Sequence, residues 1–153
     1  MSGKIIAIVN QKGGVAKTTT TINLATSLVA VHQKILVIDL DPQGNASTGF
    51  GVLNQDRVLN IYQLLINQNT TTLIEKFIHK THISGLDIIP ANIDLAAAEL
   101  DLFHMPNRNF ILKEKLSQLL SVYDFIFIDC PPSLGMLTIN AMCAANSVLI
   151  PMQ

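Results

Sequence analysis

Four short apolar runs stand out along the chain: Ile5 to Val9, Ile35 to Ile38, Phe125 to Ile128 and Val148 to Ile150. Each is too short for a stable helix and rich in β-branched or aromatic residues, the pattern of a strand buried on both faces. A weaker run, Leu86 to Ile89, stops at Pro90. Between the runs the apolar spacing changes to that of helices. Ile22, Ala25, Leu28 and Val29 share one face of a helix expected from Thr18 to about His32. Further helices are expected over Leu59 to Asn67, Thr72 to His79, Ile93 to Leu102, Phe110 to Leu120 and Met136 to Ala145. The stretch from Pro42 to Gly51, with its glycines, Asn45, Ser47 and Thr48, reads as a functional loop.

Strands that alternate with helices predict βαβ units with right-handed crossovers. The expected fold is α/β, a doubly wound, mainly parallel sheet with helices on both faces. With no internal repeat or linker, residues 1–153 read as one domain. In such sheets ligands gather beyond the carboxyl ends of the strands. Asn10, Asp39 and Asp129 each stand at such an end.

Composition narrows this picture only a little. Hydrophobic residues make up 49% and charged residues 14%, which suits a covered parallel sheet and excludes a disordered chain. A net charge of −1 gives no electrostatic case for DNA from the chain as a whole. Cys130 and Cys143 have neither disulfide-framework nor metal-ligand spacing and read as buried thiols in a reducing cytoplasm. The four histidines share no spacing. Neither a signal pattern nor a membrane-length apolar stretch is present, so a cytoplasmic location is expected.

Chemistry enters with the segment Lys12-Gly13-Gly14-Val15-Ala16-Lys17-Thr18-Thr19, set between the first strand and the first helix. Anion binding needs backbone N–H groups turned inward, which paired glycines permit, and the following helix adds the positive end of its dipole. Lys17 is placed to reach the β and γ phosphates of a nucleotide, and the Thr18 hydroxyl to ligate Mg²⁺. The plain phosphate-loop string is not met, because Gln11 and Ala16 stand at its two glycine positions. The variant K-G-G-x-x-K-[ST] is met. If a left-handed backbone is needed at Ala16, its side chain costs roughly 1–2 kcal/mol there.

Two acidic segments follow. In Asp39-Leu40-Asp41-Pro42-Gln43-Gly44-Asn45-Ala46-Ser47, a carboxylate at the strand edge could hold a water for attack on a γ phosphate or sit in the outer shell of Mg²⁺; Asp39 could equally cap a turn. Phe125-Ile126-Phe127-Ile128-Asp129 is an apolar strand ending on an acid suited to Mg²⁺, and Cys130-Pro131-Pro132-Ser133 follows it.

With these three motifs in this order, the chain resembles the ParA/Soj partitioning ATPases, P-loop NTPases with a deviant Walker A motif. The resemblance runs over the whole chain, including Thr138-Ile139-Asn140-Ala141, read as packing residues of the last helix. It implies an ATPase in which Lys12 reaches across an ATP-dependent dimer to the partner's phosphates, so that Lys12 and Asp41 serve catalysis. Asp41 orients the hydrolytic water. Thr18, Asp129 and Asp39 serve Mg²⁺, and residues 130–133 form a switch that responds to loss of the γ phosphate. The implied role is segregation of chromosomes or plasmids, with a ParB-type centromere-binding protein as partner and nonspecific DNA as track, nucleoid-associated when ATP is bound and without a membrane.

The same resemblance implies that the chain is the N-terminal portion of the family's domain. The missing part would carry an adenine-contacting loop and the basic residues for DNA, and the truncated sheet would expose an edge prone to aggregation. Two other readings keep the residues and change the role: a MinD-like positioning ATPase, and a noncatalytic remnant or interaction domain. The D-P-Q-G-N string favours partitioning over the first.

Overall fold

The structure, a computed structural model, describes residues 2–12 and 16–152. Its centre is a six-stranded sheet in the order β3-β4-β2-β5-β1-β6. The strands are β1 (Lys4–Ile8), β2 (Ile35–Asp39), β3 (His79–Lys80), β4 (Leu86–Ile89), β5 (Phe125–Asp129) and β6 (Ser147–Leu149). All pair in parallel except β3, a two-residue antiparallel strand on the β4 edge.

The helices are α1 (Lys17–Ala30), α2 (Asn45–Gly49), α3 (Ile61–Ile66), α4 (Ala98–Phe103), α5 (Ile111–Leu116) and α6 (Met136–Ala144). Strand alternation sorts the apolar side chains into two layers. Ile35, Val37, Ile88 and Phe127 face α1, together with Phe50 and Val52 from the segment after α2. Leu36, Ile38, Ile89, Ile126 and Ile128 face the opposite layer, built by α3, α4, α5 and α6. The expected doubly wound sheet is therefore present, with the helices divided unequally between its faces.

Several boundaries differ from the sequence expectations. The loop at 42–51 contains the short helix α2. The segment expected as a helix over 72–79 is a 3-10 turn, Ile74–Phe77, followed by β3. The run from Ile93 starts as a 3-10 turn and becomes α4 only at Ala98, and α5 passes into a second 3-10 turn, Ser117–Leu119. Apolar periodicity marks a buried face but does not separate tight from ordinary helical turns. In α1 the fully apposed residues are Lys17, Thr21 and Ala25, spaced four apart, whereas Ile22, Leu28 and Val29 flank them half-buried. Thr21 and Ala25 are small, which lets this helix pack against the sheet.

The strand order places the site. From β1 the chain crosses over through α1 to β2, whereas the next strand on the other side, β6, is reached from β5 through α6. The connections thus leave the central strands on opposite faces, opening a crevice at the carboxyl ends of β1 and β5.

Candidate functional site

Asp39 and Asp129 close β2 and β5 and lie side by side in the parallel register. Both are buried, which is costly for carboxylates unless something compensates them. The Thr18 hydroxyl, in the first turn of α1, donates to Asp129 Oδ2 at 2.7 Å, and the Thr21 hydroxyl lies 3.4 Å from Oδ1. Thr18 and Asp129, 111 positions apart in sequence, are joined because β1 and β5 are hydrogen-bonded neighbours. Burial pushes the Asp129 carboxyl up to about 7; the Thr18 hydroxyl opposes this, and the charges of Asp39 and Asp41 reinforce it. An oxygen pair of this kind, a hydroxyl beside a buried carboxylate, is a donor set that a hard divalent cation takes, and the cation's charge would favour the ionised carboxylate.

Asp39 is engaged differently. Its Oδ2 accepts from the Ser47 amide at 2.8 Å and the Ser47 hydroxyl at 2.6 Å, and its Oδ1 from the Asp41 amide at 3.2 Å. Burial raises its pKa, and the bonds from Ser47 hold it back. Asp39 therefore anchors the loop that carries Asp41, the turn-capping alternative that its position allowed. Asp41 is half-buried at the start of this loop, its Oδ1 accepting from the Gln43 amide at 3.0 Å. Gly44 closes the turn with φ +66 and an amide bonded to the Asp41 carbonyl at 2.9 Å.

On the phosphate-loop side, Ala16 precedes α1 with φ 58 and ψ 29. The left-handed conformation that sequence reasoning weighed at this position is present, at roughly 1–2 kcal/mol for a residue with a Cβ. Lys17 is buried in the first turn of α1, next in sequence to Thr18, and its charge opposes those of Asp129 and Asp41 at Cys130. Lys12 and Thr19 are exposed. Gly13, Gly14 and Val15, expected to contact phosphate, lie outside the described residues. Cys130 is buried and its thiol pushed upward by desolvation, whereas Cys143 is only half-buried, unlike the expectation for both.

Sequence reasoning marks Asn10 at a strand end and Ser47 within the acidic motif without giving either a task, and it does not single out Arg57. Asn10 accepts from the Lys12 amide at 2.8 Å and donates to the Pro151 carbonyl at 2.8 Å, tying the start of the phosphate loop to the chain after β6. Its place at a strand end was the available signal. Ser47 bridges Asp39 and the Ala91 amide, which donates to its hydroxyl at 3.0 Å. Arg57 is buried behind the same loop. Nothing local in the sequence marks Arg57, and the ties of Ser47 and Arg57 to Ala91 span 44 and 34 positions.

Comparison with known proteins agrees with this geometry. A family model described as an AAA domain matches residues 3–153. Over 151 residues the chain is 49% identical to the chromosome partitioning protein ParA of Myxococcus xanthus, covering 99% of this chain and 52% of that protein. It is 48% identical to the sporulation initiation inhibitor protein Soj of Bacillus subtilis, covering 99% of this chain and 58% of that one. Among solved structures, a cobyrinic acid a,c-diamide synthase from Mycobacterium smegmatis with bound ATP analogue and magnesium superposes with a TM-score of 0.92 at 37% identity, covering 99% of this chain and 60% of that one. The chain thus spans little more than half the length of the curated relatives it matches. With its motifs gathered at the carboxyl ends of β1, β2 and β5, the chain belongs to the AAA-domain family and, within it, to the ParA/Soj type.

Proposed function

We propose that residues 1–153 form a single nucleotide-binding domain that takes Mg·ATP and hydrolyses it in the service of chromosome or plasmid partitioning. The observation that carries this reading is the Thr18–Asp129 contact of 2.7 Å at the foot of α1, with Lys17 buried beside it and the Asp41 loop alongside. The names of the ParA and Soj relatives supply the partitioning role. The ATP analogue and magnesium in a structural neighbour are consistent with the ligands.

In this reading each residue has a separate task. The amides of residues 13 to 19, with Ala16 turning the chain into α1, wrap the phosphates, and Lys17 neutralises their charge. Thr18 and Asp129 would hold Mg²⁺, with Asp39 behind them as loop anchor and outer-shell support. A bound Mg²⁺ supplies charge stabilisation at the phosphoryl oxygens. Asp41 orients the attacking water through the carboxylate oxygen that Gln43 does not occupy. Hydrolysis by in-line attack needs little more from the protein than this positioning. Lys12, an exposed residue at the start of the phosphate-loop segment, is assigned to the phosphates of a second copy in an ATP-dependent dimer. The DNA track and a ParB-type partner complete the proposal. Among the described residues no helix is long and apolar enough to cross a membrane.

Lys17→Ala tests the reading directly. In a titration with a fluorescent ATP analogue, affinity is expected to fall at least about 100-fold, as expected for losing a buried charge on phosphate. An unchanged dissociation constant would remove the phosphate-loop assignment.

A further inference from the structure

Arg57 is 3% exposed, yet among the described residues none of its hydrogen-bond partners is a carboxylate. Its Nε and Nη2 donate to the Val52 carbonyl at 3.0 and 2.6 Å, Nη2 also to the Thr48 hydroxyl at 3.0 Å, and Nη1 to the Ala91 carbonyl at 3.1 Å. One planar side chain therefore grips both ends of residues 48–52 and fastens them to the segment that follows β4. The grip is reciprocal, because the Ala91 amide donates to the Ser47 hydroxyl, which in turn donates to Asp39.

The guanidinium also floors the turn that starts at Asp41. A Cβ placed on Gly44 would lie 2.5 Å from Arg57 Nη1 and 3.0 Å from the Ala91 carbonyl oxygen, so the turn rests directly on the arginine. Gly44 is bonded to the Asp41 carbonyl, which makes Arg57, Gly44 and Asp41 a continuous stack. Burial pulls the guanidinium below its usual pKa, opposed by the charge of Asp39. A position that needed only volume would be filled by Leu or Met without burying a charge among neutral acceptors.

We propose that Arg57 is the positioning residue for Asp41: it holds the 41–52 loop in the geometry for water attack, so that turnover depends on it and nucleotide affinity does not. This rests on the hydrolytic reading of the same site. A loop displaced by about 1 Å is enough to cost up to roughly 100-fold in rate while leaving phosphate contacts intact.

The test uses Arg57→Lys, which keeps the charge and loses the planar fork, and Arg57→Met, which keeps the bulk. Phosphate release is measured per bound fluorescent ATP analogue, which counts only folded, binding-competent molecules. Hydrogen exchange is followed in parallel. Expected are a turnover lower by about tenfold or more, a dissociation constant within about threefold, and faster exchange over 43–52 with β2 and β5 unchanged. Thr48→Val removes a single acceptor of Arg57 and serves if the arginine variants do not fold, with an expected fall of about two- to threefold. Turnover per bound nucleotide equal to the parent's, or exchange that rises uniformly through the sheet, overturns the proposal. A parent chain that binds nucleotide but releases no phosphate overturns the hydrolytic reading instead, and the exchange pattern then decides whether Arg57 holds the loop.

Discussion

Asp129 shows how much one residue can ask of its surroundings. It is 1% exposed, next to Asp39 in register, and its carboxyl titrates at about 7 against an ordinary 3.8. With a folded-state pKa raised above the unfolded one, the stability linked to this proton is fully present below about pH 4. It is lost as pH rises through about 7. Asp129→Asn is therefore expected to stabilise the ligand-free chain at pH 8 by on the order of 2 kcal/mol, the gain shrinking toward pH 5. Urea unfolding at the two pH values checks this. An identical midpoint for parent and variant at pH 8 would show that the buried charge is already compensated. The same variant should lose magnesium-dependent nucleotide binding, a trade of stability against function.

Among the elements, α6 depends on a residue from another helix. Its N-cap is Gly135, which has no side chain to offer, and the first-turn amides of Met136 and Leu137 donate instead to the Glu99 carboxylate on α4. A Cβ on Gly135 would sit 2.5 Å from both oxygens of that carboxylate, so the glycine is what admits the cap. Removing it in Glu99→Ala should cost about 1 kcal/mol, read as a lower thermal midpoint, and Glu99→Gln should recover part of it. A midpoint unchanged in both variants would mean that water replaces the carboxylate fully. This cap also shows where the sequence stops being informative. The parallel strands, α1 and the acids at the strand ends were legible because period and position are local properties. The cap by Glu99 and the ties of Ser47 and Arg57 to Ala91 were not, because these contacts span 37, 44 and 34 positions. Thr138 and Asn140, read as packing residues, do more than pack: Thr138 donates to the Ser133 carbonyl at 2.6 Å, and the Asn140 side chain joins α6 to the start of α5.

For the molecule as a whole, β6 is the exposed feature. Among the described residues it pairs only with β1, and Val148 and Ile150 are 47% and 61% exposed. An apolar, unpaired strand edge is a template for association. The 153-residue chain is expected to self-associate as its concentration rises, and Val148→Lys to keep it monomeric in light scattering; equal association by the variant would place the contact elsewhere. The strand order also dictates a timetable for synthesis. Both hydrogen-bonding neighbours of β1 lie more than a hundred residues further along the chain, so residues 4–8 wait for residues 125–129 to leave the ribosome. At about 5–20 residues per second that delay is roughly 6–24 s. During it the segment that leads into the phosphate loop has no native strand to lie against, and a nascent-chain holdase has its longest opportunity there.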